Sequence, residues 1–301
     1  MTSGEKQIID RGLKVADSMV FHEDKIWSRY SNDKVDIGEE LTCVIRVLHK
    51  QLPLQRKMTA LSIGSSNEPQ FRILETAFRG GLYLLDIERG ALDIITERIT
   101  RQLTDHVQTI QGDYNQLFLN ARKTEQFVKK SLNGTKMNLI TMHHSLYYSE
   151  AIKWHTLFSN LYRHVLASRS AMHAVLMAPR SINEYSTSWL YEHFAGKYFG
   201  HHNNQDLNVF RKEIEKTPLY KKAEVQFKRS NVYFMTEDFE QFMAVIWMVL
   251  LYPSVHPYSY KQREEITEFV YKKFWKKKKP LVQVQDHLVI YKGLSPRFAT
   301  A

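Results

Sequence analysis

The sequence predicts a doubly wound α/β fold built around a mostly parallel sheet. Short apolar segments alternate with helical segments of about 10–15 residues along the first half of the chain, which is typical of βαβ units. Because such crossover connections are right-handed, successive strands are expected to pair in parallel within one sheet. The predicted strands of this core are residues 58–63, 82–85, 107–110, 137–142 and 171–177.

The segments between these strands carry apolar residues at spacings of three and four, which predicts amphipathic helices. The clearest stripe runs from Trp154 to Leu166, and Asn133-Gly134 favours a helix end before the fourth strand. The first fifty residues are also predicted to be helical. After Pro179 the sequence predicts helices at 184–200, 206–216, 237–252 and 263–275, and two further strands at 225–234 and 281–291.

The composition limits the class of protein. The chain has 301 residues, of which 43% are hydrophobic, so it can bury the core of one large domain or two modest ones. Its single cysteine, Cys43, excludes an intrachain disulfide framework and a cysteine-rich metal site. The longest apolar run, residues 242–252, is shorter than the roughly 20 residues that span a bilayer, and no secretory signal pattern opens the sequence. We therefore expect a cytoplasmic protein with no transmembrane segment and no metal site.

Polar residues stand at the carboxyl ends of four successive predicted strands. Gly64 follows the first strand, Asp86 the second and Asp113 the third, while His143 and His144 follow the fourth. Ligands of open parallel sheets bind beyond the carboxyl ends of the strands. These residues are therefore predicted to lie together at one ligand site.

The spacing of Gly64 and Asp86 favours a nucleoside-containing ligand. A glycine lets the backbone turn sharply and lets a ligand approach closely. Asp86 follows 22 residues later, near the spacing at which an acidic side chain accepts hydrogen bonds from ribose hydroxyls. Ser66 and Pro69 stand where a dinucleotide motif needs glycines, so S-adenosylmethionine is favoured over NAD. Asp113 is placed to accept from an adenine amino group. The alternative is an ordinary turn glycine with aspartates that cap helices or face solvent.

Two segments of the sequence resemble a known enzyme family. Residues 61–64 (Leu-Ser-Ile-Gly) and 139–148 (Leu-Ile-Thr-Met-His-His-Ser-Leu-Tyr-Tyr) are similar to segments of the histamine N-methyltransferase-like small-molecule enzymes, and residues 58–178 resemble a class I S-adenosylmethionine-dependent methyltransferase core. The resemblance implies a Rossmann-like methyltransferase fold with a seven-stranded sheet, whose last strand, 281–291, is antiparallel. It also implies methyl transfer from S-adenosylmethionine to nitrogen or oxygen of a small molecule.

This interpretation divides the chain into three segments. Residues 1–50 would form an N-terminal helical lid, residues 51–181 the cofactor-binding α/β core, and residues 182–301 the acceptor-side helices with the last two strands. The expected cofactor-binding residues are Gly64, Ser65, Ser66, Asp86, Ile87, Asp113, Tyr114 and His143.

The resemblance also assigns residues to the methyl acceptor. His144 and Tyr147 are the expected catalytic residues. The expected substrate-binding residues are Glu40, His144, Tyr147, Tyr148 and Trp247. The alternatives are a histidine bonded to a neighbouring loop, packing tyrosines and a solvated helix glutamate.

The charge of the chain leaves other functions open. Lys+Arg exceed Asp+Glu by 42 to 32, and residues 272–280 hold six lysines around Phe274 and Trp275. Such a segment suits a polyanion, so an RNA or protein methyltransferase is one alternative, although nucleic acid is not favoured over a solvated helix end. A non-catalytic cofactor-binding scaffold, suggested by Ser65 and Ser66, is another. Residues 239–258 are apolar enough for the core, an acceptor wall or a homodimer interface.

Absent motifs narrow the chemistry. The chain has no Asn/Asp-Pro-Pro-Tyr/Phe segment of the amino methyltransferases that act on adenine or glutamine, and no Gly-x-Ser-x-Gly elbow of a hydrolase. No Asp/Glu pair follows the fourth strand, which disfavours a metal-dependent catechol type. His201, His202 and Asp206 are interpreted as a polar loop rather than a metal site.

Overall fold

The structure is a computed structural model that describes residues 2–15, 23–53, 55, 57–64, 70–251 and 257–296. Seven strands form one sheet in the order β3-β2-β1-β4-β5-β7-β6. The strands β1 to β5 pair in parallel with their neighbours, which confirms the predicted doubly wound, mostly parallel sheet. The strands are β1 Thr59–Ile63, β2 Gly81–Asp86, β3 Val107–Gln111, β4 Met137–His143, β5 Leu166–Met177, β6 Ala223–Phe234 and β7 Leu281–Lys292.

The last strand, β7, runs antiparallel to β5. His173 of β5 faces His287 of β7, and the N–H of Ala178, just after β5, donates to the carbonyl of Val284, 2.8 Å away. Since residue numbers rise along one strand while they fall along the other, the two strands point in opposite directions. This direction agrees with the expectation for residues 281–291.

The helices also follow the predicted pattern. Their apolar residues face the sheet or each other, as the spacings of three and four require. The α-helices of the described residues are α1 Ser3–Val15, α2 Glu23–Tyr30, α3 Asp33–Gln51, α4 Phe71–Ala77, α5 Arg89–Arg101, α6 Tyr114–Phe118, α7 Ala121–Ser131, α8 Trp154–Asn160, α9 Thr187–Tyr191, α10 Lys197–Phe199, α11 Leu207–Lys216, α12 Phe239–Leu251 and α13 Tyr260–Val270.

One predicted boundary was wrong. The helix expected up to Leu166 ends at Asn160 and continues as a π-helical turn, Leu161–Val165, while β5 begins at Leu166 rather than at 171. Leu166 pairs with Met137 of β4, and its side chain joins the same apolar core as the preceding turn. An apolar residue at this position satisfies a helical and an extended pattern equally, so spacing alone did not locate the boundary.

The chain divides into two compact units. The α/β unit comprises residues 37–176, 205–229 and 286–301, and the aromatic unit comprises residues 1–36, 177–204 and 230–285. This division differs from the expected segments 1–50, 51–181 and 182–301, which stay a prediction about function. In the α/β unit, apolar clusters cover both faces of the sheet. One includes Leu61 and Ile140, and the other includes Ala60 and Leu139.

The core of the aromatic unit surrounds α12. Nine residues of this helix are buried against aromatic neighbours such as Trp27, Phe234 and Phe274. Burying one such side chain contributes about 1.5–3 kcal/mol, so the helix is a core element of its own unit. A homodimer through residues 239–258 stays a prediction, and residues 252–256 lie outside the described ones. Within the described ranges, no helix combines the length and the apolar character that crossing a membrane requires.

Candidate functional site

The turn after β1 requires a glycine for two reasons. Gly64 has a φ of +71°, which side chains other than glycine rarely adopt. A Cβ at this position would lie only 2.4 Å from the Cβ of Ser145, at the end of β4. The N–H of Gly64 also donates to the carbonyl of Leu85 in β2, over 2.8 Å. The turn therefore joins the carboxyl ends of three neighbouring strands, and the next two predicted residues, Ser65 and Ser66, lie outside the described part of the chain.

Asp86 is the last residue of β2, and it is buried at this same edge. One carboxylate oxygen, Oδ1, accepts from the N–H of Glu88 over 2.9 Å. The carbonyl of Asp86 accepts from the N–H of Gly112, after β3, over 2.8 Å. Among the described residues, no side chain donates to the second carboxylate oxygen, Oδ2. Asp86 is thus fixed in direction and retains acceptor capacity for hydroxyl groups.

Ile87 follows Asp86 directly and points an apolar side chain outward. It is 61% exposed, although large aliphatic residues are usually buried. Its carbonyl accepts from Nε2 of Gln111, over 3.3 Å, which fixes the backbone of this turn to the end of β3. An exposed apolar side chain in this position suits the face of a flat ring.

Asp113 caps the helix after β3. Its Oδ1 accepts from the N–H of Asn115 over 2.8 Å, at the first turn of α6. The alternative interpretation of a helix-capping aspartate is therefore accurate for this residue. A cap occupies one oxygen of the carboxylate, and the predicted contact with an adenine amino group needs the other.

Tyr114 connects the ends of β3 and β4. Its hydroxyl donates to the carbonyl of Ser145 over 2.7 Å, and its ring is buried. Burial disfavours the phenolate and raises the pKa of Tyr114 well above its ordinary value, so the hydroxyl remains a donor. Because this hydroxyl is already bonded, any contact of Tyr114 with a cofactor would come from the ring.

The end of β4 has an unusual backbone. His143 is the buried last residue of the strand, and His144 adopts a left-handed φ of +55°. The N–H of His144 donates to the carbonyl of Val175 in β5 over 3.0 Å. A residue other than glycine in this region costs about 1–3 kcal/mol and persists where the surroundings impose it, commonly at functional sites. The turn also leaves Oγ of Ser145 buried and without a hydrogen-bond partner in the described part of the chain.

The two predicted tyrosines differ in their environment. The ring of Tyr147 is stacked on that of His144, with centroids 5.9 Å apart and planes 8° apart, and it packs partly against the core. Tyr148 is 72% exposed, and its carbonyl accepts from Nδ2 of Asn115 over 2.9 Å. Tyr147 thus forms a wall beside His144, whereas the ring of Tyr148 faces outward.

A residue that sequence reasoning missed supports this turn. Gln205 is buried, and its Nε2 lies within 3.1–3.3 Å of the carbonyls of Leu146, Tyr147 and Ser149. One amide therefore fixes the segment that carries the predicted acceptor residues. No local signal identifies such a contact, since Gln205 lies in a loop far along the chain.

Glu40 lies on α3. Its carboxylate pairs with Nζ of Lys228 over 3.1 Å and is 14% exposed. The two side chains line a cavity of about 360 Å³ in the α/β unit. The complete lining is Glu40, Gln226, Phe227, Lys228, His287 and Val289.

Trp247 lies in the core of the aromatic unit. Its ring packs against Tyr258, with centroids 5.7 Å apart, and the residue is buried. Its Nε1 has no hydrogen-bond partner among the residues that the structure describes. The predicted contact of Trp247 with an acceptor stays a prediction.

Half of the lysine-rich segment is paired with acidic residues. Lys272 pairs with Glu268, Lys273 with Glu184, and Lys276 with Glu5, over 2.8 Å in the last case. The bond to Lys276 is the largest cause that lowers the pKa of Glu5 to about 2. For Lys277, Lys278 and Lys279 no ion pair is present within the described ranges. Phe274 is buried in the core, as a helix end would require.

Two buried histidines were also missed. His173 lies inside β5 and His287 inside β7. The alternation of Gln283, Gln285 and His287 is a signal that could have found one of them, because it places polar side chains on one face of a strand. Among the described residues, no group of three or more His, Cys, Asp or Glu side chains could hold a metal ion. Asp206, considered above with His201 and His202, caps α11 by accepting from the N–H groups of Asn208 and Val209.

Comparisons with known proteins identify the fold. No protein-family model matches the sequence, and no curated protein matches it significantly. Among solved structures, a candidate methyltransferase of Bacillus halodurans has a TM-score of 0.51 at 12% identity, with 84% of this chain and 99% of that one covered. The YcgJ protein of Bacillus subtilis has a TM-score of 0.48 at 10% identity, covering 83% and 97%. A candidate sarcosine dimethylglycine methyltransferase of Galdieria sulphuraria has 0.46 at 13%, covering 86% and 84%.

The first of these structures, with the strand order of the sheet, defines the fold class. The chain has the Rossmann-like fold of the class I methyltransferases, as the sequence predicted. The finer resemblance, to the histamine N-methyltransferase-like enzymes, receives no specific support from these comparisons.

Proposed function

We propose that this chain is an S-adenosylmethionine-dependent methyltransferase that methylates nitrogen or oxygen of a small molecule. The observation that carries the proposal is the convergence of Gly64, Asp86 and Ser145 at the carboxyl edge of a class I methyltransferase sheet. This edge is where open α/β sheets bind ligands.

The residues at this edge fit the groups of the cofactor. Asp86 is buried and fixed, with acceptor capacity for ribose hydroxyls. Asp113 can accept from the adenine amino group, and the exposed side chain of Ile87 can cover the ring. Gly64 lets the cofactor approach the backbone, and Oγ of Ser145 is a buried donor without a partner among the described residues. Ser65, Ser66, Tyr114 and His143 would complete the contacts.

When bound, S-adenosylmethionine supplies a methyl group on a positively charged sulfur. The chain must then position the acceptor in line with that methyl group and exclude water, since positioning supplies most of the acceleration. His144 and Tyr147 form a stacked pair that can wall the acceptor. An amine reacts only when it is unprotonated, and His144 is the base proposed to accept its proton. Tyr148 and Glu40 are proposed as further acceptor contacts, and the contact of Trp247 with an acceptor stays a prediction.

The alternative of an RNA or protein methyltransferase has less support. Three lysines of the lysine-rich segment are engaged with glutamates, so fewer cations are available to a polyanion. If this alternative were correct, RNA binding would weaken steeply with salt, and replacing Lys277, Lys278 and Lys279 by alanine would abolish it. A non-catalytic scaffold would bind the cofactor without turnover.

A turnover assay tests the proposed function. The protein is incubated with S-adenosylmethionine and a panel of small amines, imidazoles and phenols, and S-adenosylhomocysteine is measured by mass spectrometry. We expect product with at least one acceptor, and a loss of about 100-fold or more in His144→Ala. His155→Ala, which removes a half-exposed histidine paired with Glu213, is the matched control and should retain activity. Cofactor binding without turnover on any acceptor would favour the scaffold instead.

A further inference from the structure

Three histidines form a continuous chain across neighbouring strands of the α/β unit. Nε2 of His143 lies 3.1 Å from Nδ1 of His173, and Nε2 of His173 lies 3.2 Å from Nδ1 of His287. The three residues belong to β4, β5 and β7, which are adjacent in the sheet. All three are buried. The rings thus lie in a row, each within hydrogen-bond distance of the next.

The atoms that meet in this chain restrict its protonation states. A neutral imidazole has one N–H donor and one acceptor nitrogen. Each contact joins Nε2 of one ring to Nδ1 of the next, so three neutral rings form both bonds only when all of them are the same tautomer. With the proton on every Nε2 the bonds point from His143 to His287, and with the proton on every Nδ1 they point the other way.

The surroundings of the chain keep the middle ring neutral. Burial lowers the pKa of His173 well below its ordinary value, and His143, His287 and Lys228 lower it further. A neutral ring can accept a proton on one nitrogen while it donates the proton on the other. A permanently charged ring would have two donors and no acceptor, and it would interrupt the chain.

The first and last histidines of this row, His143 and His287, lie in different places. His143 is the last residue of β4 and directly precedes His144, beside the proposed acceptor site. His287 lines the cavity that Glu40 and Lys228 also line. The side chain of Lys228 is 48% exposed, so the cavity reaches the protein surface.

We propose that His143, His173 and His287 form a proton relay from the acceptor site to this cavity. The inference rests on the proposed function, because an amine that arrives as an ammonium ion must lose one proton before its lone pair can attack. The relay carries away this one proton from the turn that holds His143 and His144. The acceptor nitrogen then bonds to the methyl carbon while the sulfur–methyl bond breaks, and that bonding pair stays on sulfur.

The transfer of one proton along the three histidines is balanced. A proton enters at Nδ1 of His143, the proton on its Nε2 passes to Nδ1 of His173, and the proton on Nε2 of His173 passes to Nδ1 of His287. His287 releases the proton on its Nε2 toward the cavity. One proton enters and one leaves, and all three rings change from the Nε2–H to the Nδ1–H tautomer. The chain returns to its first state by the reverse shift or by rotation of the rings.

Nitrogen-15 NMR of the cofactor-free protein tests the hydrogen-bonded histidine row directly. Long-range proton–nitrogen spectra distinguish the two neutral tautomers of each histidine. We expect the three rings to share one tautomer or to exchange between the two together. In His287→Gln the tautomer populations of His143 should change through His173, whose two ring nitrogens face His143 and His287. His106→Gln removes another histidine, whose side chain is 8% exposed and bonded to the carbonyl of Glu75, and should leave them unchanged.

A mixture of tautomers, with Nε2–H on one ring and Nδ1–H on its neighbour, would overturn the relay, since two donors or two acceptors would then face each other. This measurement uses the wild-type protein without cofactor, so its result does not depend on methyl transfer. Failure of the proposed function would appear instead as no binding of S-adenosylmethionine.

Kinetics test whether the three hydrogen-bonded histidines carry the proton during turnover. With an amine acceptor from the panel above, His173→Gln is expected to lower kcat about tenfold or more, with little change in KM, and to alter the pH profile of kcat. A kcat and pH profile equal to those of His106→Gln would overturn the relay while leaving the methyltransferase proposal intact.

Discussion

The carboxyl ends of β2 and β3 differ from those of β1 and β4 in how they hold their functional groups. Asp86 and Asp113 are fixed by bonds to backbone N–H groups two residues on, a local turn that any aspartate can form. Gly64 and His144 have left-handed backbones, and their N–H groups donate to carbonyls of distant strands. The ends of β2 and β3 thus depend on local turns, and the ends of β1 and β4 depend on long-range packing.

This difference implies that the ends of β2 and β3 respond differently to substitution from the ends of β1 and β4. A local turn loses about one hydrogen bond when its aspartate is removed. A glycine whose added Cβ would meet a neighbouring strand loses stability, geometry and function together when it is replaced, because that strand must move.

The largest effect is expected at Gly64. Gly64→Ala places a Cβ 2.4 Å from that of Ser145 at a φ of +71°, and should lower the free energy of unfolding by about 3 kcal/mol or more and abolish cofactor binding. Gly134→Ala is the matched control, since it has a φ of +74° but open space around it, and should cost about 1 kcal/mol. Denaturant unfolding of both variants measures the difference. Equal losses would show that the contact with Ser145 imposes no constraint.

A second effect is the pH dependence of stability. Since the pKa of His173 is lowered by folding, the unfolded chain binds the proton more readily, and stability is complete above the unfolded value of 6.5 and falls below it. The slope from this residue approaches about 1.4 kcal/mol per pH unit. Unfolding free energies measured from pH 7.5 to about 5 in the wild type and in His173→Gln isolate this contribution. A variant with an unchanged slope would contradict the buried, neutral ring.

A smaller effect is expected at Asp113. Asp113→Ala removes the cap of α6 and should cost about 1 kcal/mol, while Asp113→Asn, which can still accept from Asn115, should cost much less. Thermal unfolding compares the two variants. If Asp113→Ala costs as much as Gly64→Ala, the end of β3 is not held by local turn chemistry.

The smallest effect on stability is expected at His144. His144→Gly relieves the left-handed strain while it removes the stacking on Tyr147, so stability should stay within about 0.5 kcal/mol of the wild type. The same substitution at His155, inside α8, should cost about 1 kcal/mol. Chemical unfolding distinguishes them. A loss at His144 larger than that at His155 would show that the backbone there is not strained.

The sequence predicted the strands and the strand-end residues, which depend on local spacing. The alternation of apolar segments located all seven strands, and the strand ends identified Asp86 and Asp113. It did not predict the contacts that depend on strand order. His173 and His287 meet because β7 inserts between β5 and β6, and Glu40 meets Lys228 across 188 positions of sequence. The beginning of β5 at Leu166 was missed because an apolar residue there fits either pattern.

The most direct test of the account is calorimetric titration with S-adenosylmethionine. We expect the wild type to bind, and Asp86→Asn to bind at least about tenfold more weakly, a loss of roughly 1.4 kcal/mol or more. Asp93→Asn, an exposed aspartate on α5 paired with Arg89, should bind as the wild type does. Absence of binding by the wild type at about 1 mM cofactor, where even a weak site is occupied, or binding that Asp86→Asn leaves unchanged, would contradict the assignment of this edge to the cofactor.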